Sequence, residues 1–309
     1  MKPTLRIGTR GSGLALWQAR YVESLVSETH PEINSEIIVI KTTGDKNLES
    51  PLSEIGGKGV FVKEIEEALL SEKIDIAVHS LKDVPAVLPN GLALGAFIER
   101  HDPRDAVITR SGLKLGELPD GSRVGTGSLR RASQILYNHP ELKITPIRGN
   151  VDTRVRKLRE GEDYEAIVLA LAGLERMGFQ DEVTEVISEE KMVPAPGQGI
   201  VAIESRESDA DTNEVLNSIN HRETAIQAAA ERAFLKRLSG DCNVPLGCRA
   251  VISGNNIHIT GVLAKPDGSV VLKESVSGET DTAEVLGENL ADSILHSGGQ
   301  ELLENLLHG

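Results

Sequence analysis

The chain is short of cysteine, aromatic residues and positive charge, and each shortage excludes something. Two cysteines, Cys242 and Cys248, in 309 residues allow at most one intrachain disulfide, which rules out a disulfide scaffold and suits a reducing compartment. One Trp, three Tyr and four Phe leave few platforms on which bases could stack. With 33 Lys+Arg against 47 Asp+Glu the net charge is -14, whereas a general nucleic-acid binder needs a basic face. The longest apolar run, residues 166–174, is interrupted by Gly173 and falls well short of the roughly 18 residues of a membrane span. The first nine residues lack the apolar core of a signal peptide. A cytoplasmic protein with neither nucleic-acid nor membrane partner is expected. No metal is expected either, because the two cysteines with His221 and His258 match none of the usual zinc spacings.

What is present reads as two or three globular domains. Short β-branched runs at 5–8, 36–41 and 74–78 alternate with helical patterns at 14–27 and 60–70, the order of an α/β domain with a mostly parallel sheet. A second series follows, with strands expected at 106–109, 123–125, 143–147, 166–170 and 182–187 and helices at 129–137 and 151–159. Residues 193–199, with two prolines and two glycines, form a loop. The apolar run 200–204 then returns to the first sheet and makes that domain discontinuous. The last third predicts a helix at 221–238, strands at 249–253, 258–264 and 269–275 with a Pro-Asp-Gly turn at 266–268, and helices at 282–296 and 298–307. The expected fold class is two α/β domains plus a smaller α+β domain: residues 1–99 with 199–217, residues 104–193, and residues 220–309.

Between residues 123 and 159 stand nine Lys or Arg against two acids, Glu141 and Asp152, a local positive field in an acidic chain. Within it, Gly125-Thr126-Gly127-Ser128-Leu129-Arg130-Arg131 sets a glycine-rich turn after a strand, with Ser128 as N-cap. Cations in the first helical turn oppose the helix dipole unless an anion binds among them. Arg148-Gly149-Asn150, followed by Arg154, repeats the arrangement, and ligands of α/β sheets sit beyond the carboxyl ends of strands. A solvated basic surface is the alternative.

Lys82 and Asp83 emerge at the end of another strand, where an exposed polar loop is the competing reading; His79 beside them reads as a structural hydrogen-bonding residue. Arg10 and Ser12 follow the first strand in the same manner. Gly56-Gly57-Lys58-Gly59 lacks the full P-loop pattern, so nucleotide binding is not supported. Cys242 lies in a turn past a helix, open to electrophiles unless it is an inert loop thiol; Cys248 reads as core.

Taken together, the ordered motifs resemble the porphobilinogen deaminase (hydroxymethylbilane synthase) family over essentially the whole chain. They are Arg6-Ile7-Gly8-Thr9-Arg10 with Leu14-Ala15-Leu16-Trp17-Gln18-Ala19, Gly56-Gly57-Lys58-Gly59-Val60-Phe61, and His79-Ser80-Leu81-Lys82-Asp83-Val84-Pro85. Asp102-Pro103-Arg104-Asp105-Ala106, Ser128-Leu129-Arg130-Arg131, Arg148-Gly149-Asn150-Val151, Pro196-Gly197-Gln198-Gly199 and the Cys242 turn complete the set.

The resemblance implies two domains similar to periplasmic binding proteins enclosing a cleft, and a third carrying a covalent cofactor. It implies a transferase that joins four porphobilinogen molecules head to tail with loss of ammonia and releases hydroxymethylbilane with water. The primer would be a dipyrromethane on Cys242, and the partners porphobilinogen and the growing polypyrrole. Asp83 matches the catalytic aspartate, which stabilises the azafulvene cation and assists proton transfer. Arg10, Arg130, Arg131, Arg148 and Arg154 suit the acetate and propionate groups of the pyrroles. Ser12, Lys82, Thr126, Ser128, Gly149 and Gln198 match positions that hold cofactor or substrate, and Lys58 and Phe61 lie in the segment matching a flexible active-site loop.

Two positions depart from the family pattern: Asp241 stands where a small residue generally precedes the cysteine, and Gly127 where serine is common. Hinges are expected near 99–104 and 193–199. A monomer is expected, its product passing to uroporphyrinogen-III synthase. A non-catalytic solute-binding protein is the runner-up, disfavoured by the third domain and its cysteine; RNA binding through the basic segment fits the acidic balance poorly.

Overall fold

The computed structural model describes residues 4–43, 62–161, 163–238 and 244–308. The chain divides into two compact units, Met1–His101 with Ile200–Ala225, and Asp102–Gly199 with Ile226–Gly309.

In the first unit β1 (Thr4–Thr9) buries Leu5 and Ile7 against α1 (Gly13–Thr29), whose Ala19, Val22 and Val26 recur at helical spacing on one face. Ser12 caps α1, its Oγ accepting the Ala15 N–H at 3.3 Å. Strands β2 (Asn34–Val39) and β3 (Ile76–Ser80) lie parallel to β1 on either side, and α2 (Lys63–Leu70) buries Ile65, Ala68 and Leu69. Next come β4 (Leu92–Phe97) and, much later in the chain, β10 (Val201–Arg206) and α6 (Ala210–Ile219). The sheet order is β2-β1-β3-β10-β4, with β10 antiparallel to both neighbours. The run after residue 200 thus returns to the first sheet, as its pattern predicts. Neither β4 nor α6 is foreseen from the sequence. Leu92-Ala93-Leu94-Gly95-Ala96-Phe97 has no β-branched residue, and its pairing with β10 makes it a strand.

The second unit holds β5 (Asp105–Thr109), β6 (Arg123–Gly125), α3 (Leu129–Asn138), β7 (Lys143–Thr145), α4 (Val151–Glu160), β8 (Ala166–Ala170), α5 (Leu171–Arg176) and β9 (Glu185–Val186). Its first sheet, β7-β6-β8-β5-β9, repeats the scheme of the first unit: β7, β6 and β8 run parallel, and β5 is antiparallel to both β8 and β9. The strand expected over 182–187 shrinks to β9 because Gln180–Glu182 closes into a turn of 3-10 helix.

The same unit continues with α7 (Arg222–Arg237), which begins in the first unit, then β11 (Leu246–Ser253), β12 (Asn256–Ala264), β13 (Val271–Glu279), α8 (Ala283–Ile294) and α9 (Gln300–His308). The antiparallel sheet β11-β12-β13 and these helices enclose Phe234, Leu246, Ile257, Ile259, Leu290 and Ile294. Cys248 is fully buried on β11, as its apolar setting predicts. The Pro-Asp-Gly turn closes β12 onto β13, with Gly268 at φ +72°. Glu231 of α7, fully buried, accepts the Gly197 N–H at 2.6 Å and the Ala250 N–H at 2.8 Å, which ties the 193–199 loop to β11. No helix among the described residues is long and apolar enough to cross a membrane.

Helices α7 and α8 approach so closely that a Cβ on Gly287 would lie 2.2 Å from the carbonyl oxygen of Ala230. Gly287→Ala is therefore expected to cost about 1–3 kcal/mol by overpacking, measured as a lower urea midpoint.

Candidate functional site

In the first unit the neighbouring parallel strands β1 and β3, in register at Ile7↔Ile76 and Gly8↔Ala77, deliver two segments to one edge of the sheet. Arg10 and Ser12 follow β1, and the one-turn 3-10 helix Leu81–Asp83 follows β3. The carboxyl edge is where open α/β sheets bind ligands. Gln18 of α1 donates from Nε2 to Ser80 Oγ at 2.9 Å, joining the helix to the end of β3. Leu81 is buried and its N–H donates to Ile200 O at 3.0 Å, which seats the turn; Lys82 is half-buried and Asp83 exposed. Because the Oγ of Ser12 spends a lone pair on its helix cap, its O–H remains the donor toward a ligand.

The second unit is built round Asp105, the fully buried head of β5. Its Oδ2 accepts from Arg130 Nη1 at 2.7 Å, and its Oδ1 from Arg131 Nε at 2.9 Å and from Gln198 Nε2 at 2.9 Å. Burial opposes ionisation, but the two guanidinium groups and the Gln198 amide outweigh it and hold the carboxyl far below the usual carboxylate range. Arg130 also donates to Val193 O at 3.0 Å, and Arg131 to Val168 O at 3.1 Å.

Arg130, Arg131 and Gln198, each expected to face a ligand, thus share a protein partner that sequence reasoning missed. The cluster holds two cations and one anion. Burial pushes the Arg130 guanidinium down from its ordinary value; the attraction of Asp105 exceeds the like-charge repulsion of Arg131 without overcoming the burial. The Nε of Arg130 is buried and has no hydrogen-bond partner among the described residues. A buried excess of positive charge with a spare donor is the requirement that an anionic group meets.

The remaining candidates of this unit line the carboxyl ends of β6 and β7, which are parallel neighbours. Thr126, buried after β6, accepts the Ser128 N–H on Oγ1 at 3.2 Å, and Ser128 caps α3. Half-buried Arg148 follows β7; Gly149 has φ +114°, and Arg154 donates from Nε to the Gly149 carbonyl at 2.7 Å. A Cβ at Gly127 would sit 3.1 Å from Ile147 O, so serine at this position requires a small shift of that backbone. Arg176, absent from the sequence-based candidates, ends α5, the helix that follows β8, and donates from Nη2 to Gly199 O at 3.0 Å. The signals that would have pointed to these positions are an acid opening an apolar strand (Asp105) and a cation one turn after another (Arg176). Lys58, Phe61, Asp241 and Cys242 lie outside the described residues.

A family model described as "Porphobilinogen deaminase, dipyromethane cofactor binding domain" matches residues 5–214, and one described as "Porphobilinogen deaminase, C-terminal domain" matches residues 225–296. The chain belongs to the porphobilinogen deaminase family. A porphobilinogen deaminase of Carboxydothermus hydrogenoformans is 46% identical over 306 residues, covering 99% of this chain and 98% of that protein. One of Trichlorobacter lovleyi is 48% identical over 302 residues, covering 98% and 96%. The solved structure of the methionine binding protein MetQ overlaps with a TM-score of 0.45 at 16% identity, over 74% of this chain and 95% of that one.

In this porphobilinogen deaminase family member, removing the central carboxylate leaves two buried cations without their anion. Asp105→Asn is expected to lose about 3–5 kcal/mol of stability at neutral pH. The carboxyl is held below its ordinary 3.8, so its contribution is complete above that pH and disappears only as the pH falls through the lower native value. Denaturation curves of wild type and variant should accordingly converge only in strong acid.

Proposed function

We propose that this chain joins four porphobilinogen molecules head to tail with release of ammonia, growing them on a dipyrromethane primer, and frees the linear tetrapyrrole hydroxymethylbilane with water. The observation that carries the binding half of this reading is the excess positive charge buried at Arg130 and Arg131. Porphobilinogen and its polymers are rich in carboxylates, and one carboxylate at Arg130 Nε would neutralise the surplus. Arg10, Arg148 and Arg154 provide further bidentate donors, and Ser12, Lys82, Thr126, Ser128, Gly149 and Gln198 the surrounding polar contacts. The dipyrromethane, when bound, supplies a covalent anchor that keeps the growing chain on the enzyme. Cys242 is the proposed attachment residue.

Asp83 is the proposed catalytic carboxylate. It accepts hydrogen bonds from pyrrole N–H groups and holds the positive charge that develops on the incoming ring as ammonia leaves. The same carboxylate takes the proton released from the ring carbon once the new bond has formed. It stands exposed on a short turn at the end of a buried strand, where an incoming ring can reach it. We further propose that the enzyme works as a monomer in the cytoplasm and that its product passes to uroporphyrinogen-III synthase.

Two measurements test these assignments. The denatured mass of the wild type should carry an adduct of two porphobilinogen units less two ammonia molecules, and Cys242→Ser should not; an adduct on both would move the attachment elsewhere. Asp83→Asn, with its adduct intact, should lower kcat by about 10²–10⁴-fold. Wild-type turnover in that variant would remove Asp83 from the chemistry.

A further inference from the structure

On the face of the first sheet that packs against α2, three titratable side chains are buried together and have no part in the reaction described above. Ile76, Val78, Val201 and Ile203 point to the α1 side. Strand alternation sends His79 and Glu204 to the opposite side, with Ala77, Ile65 and Leu69. His79 and Glu204 are 5% and 0% exposed, and their Nε2 and Oε2 lie 3.1 Å apart. Glu66, 8% exposed, completes the group from α2. One carboxylate oxygen of Glu66 and one of Glu204 have no hydrogen-bond partner among the described residues.

One imidazolium can balance one carboxylate, so with all three groups ionised a buried negative charge would remain uncompensated. Among the described residues, the other elements packed on α2 do not relieve it. Arg6 of β1 and Arg206 of β10 are engaged with Asp75, at 2.9 and 3.3 Å, and β4 carries no titratable residue. The groups that act on Glu66 are Glu204 and His79. Burial, reinforced by Glu204 and opposed by His79, pushes the Glu66 carboxyl up to about 7.

His79 is followed directly by Ser80 and the Leu81–Asp83 turn. We propose that His79, Glu204 and Glu66 are positioning residues, a buried cluster that fixes the end of β3 and so places Lys82 and Asp83 for the polymerisation. The inference rests on the reading of Asp83 as the catalytic carboxylate. The His79–Glu204 contact adds a side-chain tie between β3 and β10 one residue before Ser80, and Glu66 packs against that contact from α2.

The test uses the full chain carrying its adduct and measures kcat and KM for ammonia release beside folding stability against pH. Glu204→Gln and Glu66→Leu should lower kcat by about tenfold or more with KM within about twofold, and Glu66→Gln should recover most of the loss because it keeps the shape and the missing charge. Native Glu66 retains a proton that the unfolded chain releases above about 4.5, so wild-type stability should fall between that pH and about 7. Glu66→Gln should lack this fall, gaining over the wild type as pH rises and matching its slope in acid.

Parallel stability curves would show an ionised Glu66 and overturn the proposal, as would wild-type kcat in a folded Glu204→Gln. Should Glu204→Gln fail to fold, the near-isosteric Glu66→Gln still decides through its pH curve and its kcat relative to Glu66→Leu. An active Asp83→Asn would overturn the underlying reading and the positioning role with it, and the Glu66→Gln stability curve, which does not involve Asp83, separates that failure from a failure of the cluster.

Discussion

Two guanidinium groups buried against a single carboxylate set the terms for the second unit. Asp105 opens β5; through Arg130, Arg131 and Gln198 it gathers the first turn of α3, the end of β8 and the loop before β10 round one point. Burying ions is costly, and such clusters are weak arguments for stability by themselves. The imbalance is the informative part: among the described residues two buried cations share one carboxylate at the carboxyl edge of a sheet.

The first unit has the opposite imbalance, with two acids to one histidine on a buried face. The two surpluses differ in how they can be relieved. A carboxylate surplus disappears when one acid keeps its proton, which the solvent supplies. An arginine holds its charge at any pH a cell offers, so a cation surplus is relieved only by a further anion. The two buried clusters thus carry opposite surpluses among the described residues, although both sheets follow the same strand scheme.

Features that depend on near neighbours were legible in the sequence. Strands over 123–125 and 166–170 match the observed elements, and Ser128 caps the helix that its place predicts. The glycine-rich turns and the strand ends that carry Lys82, Asp83 and Arg148 follow from the same local signals. Features that depend on distant partners were not legible. Asp105, the acceptor, is 25 residues from Arg130 and 93 from the Gln198 amide, and no spacing rule links them. Leu92–Phe97 lacks strand propensity and becomes a strand only beside β10. His79 was read as a hydrogen-bonding residue, which its pairing with Glu204 supports, but its partner lies 125 residues further on.

The return of β10 to the middle of the first sheet has a consequence for the order of assembly on the ribosome. Strands β3 and β4 do not pair with each other; β10 separates them, and it leaves the ribosome only after most of the second unit has been made. At roughly 5–20 residues per second the facing edges of β3 and β4 wait several seconds for the strand that satisfies them. During that interval the first unit is an incomplete sheet with an inner gap, while the Asp105 sheet between them in sequence has all its strands. His79 meets Glu204 only when that gap is filled. The turn that carries Asp83 is therefore among the last parts of its unit to be set, and a nascent chain holds the cluster of Arg130, Arg131 and Asp105 before it holds a finished first sheet.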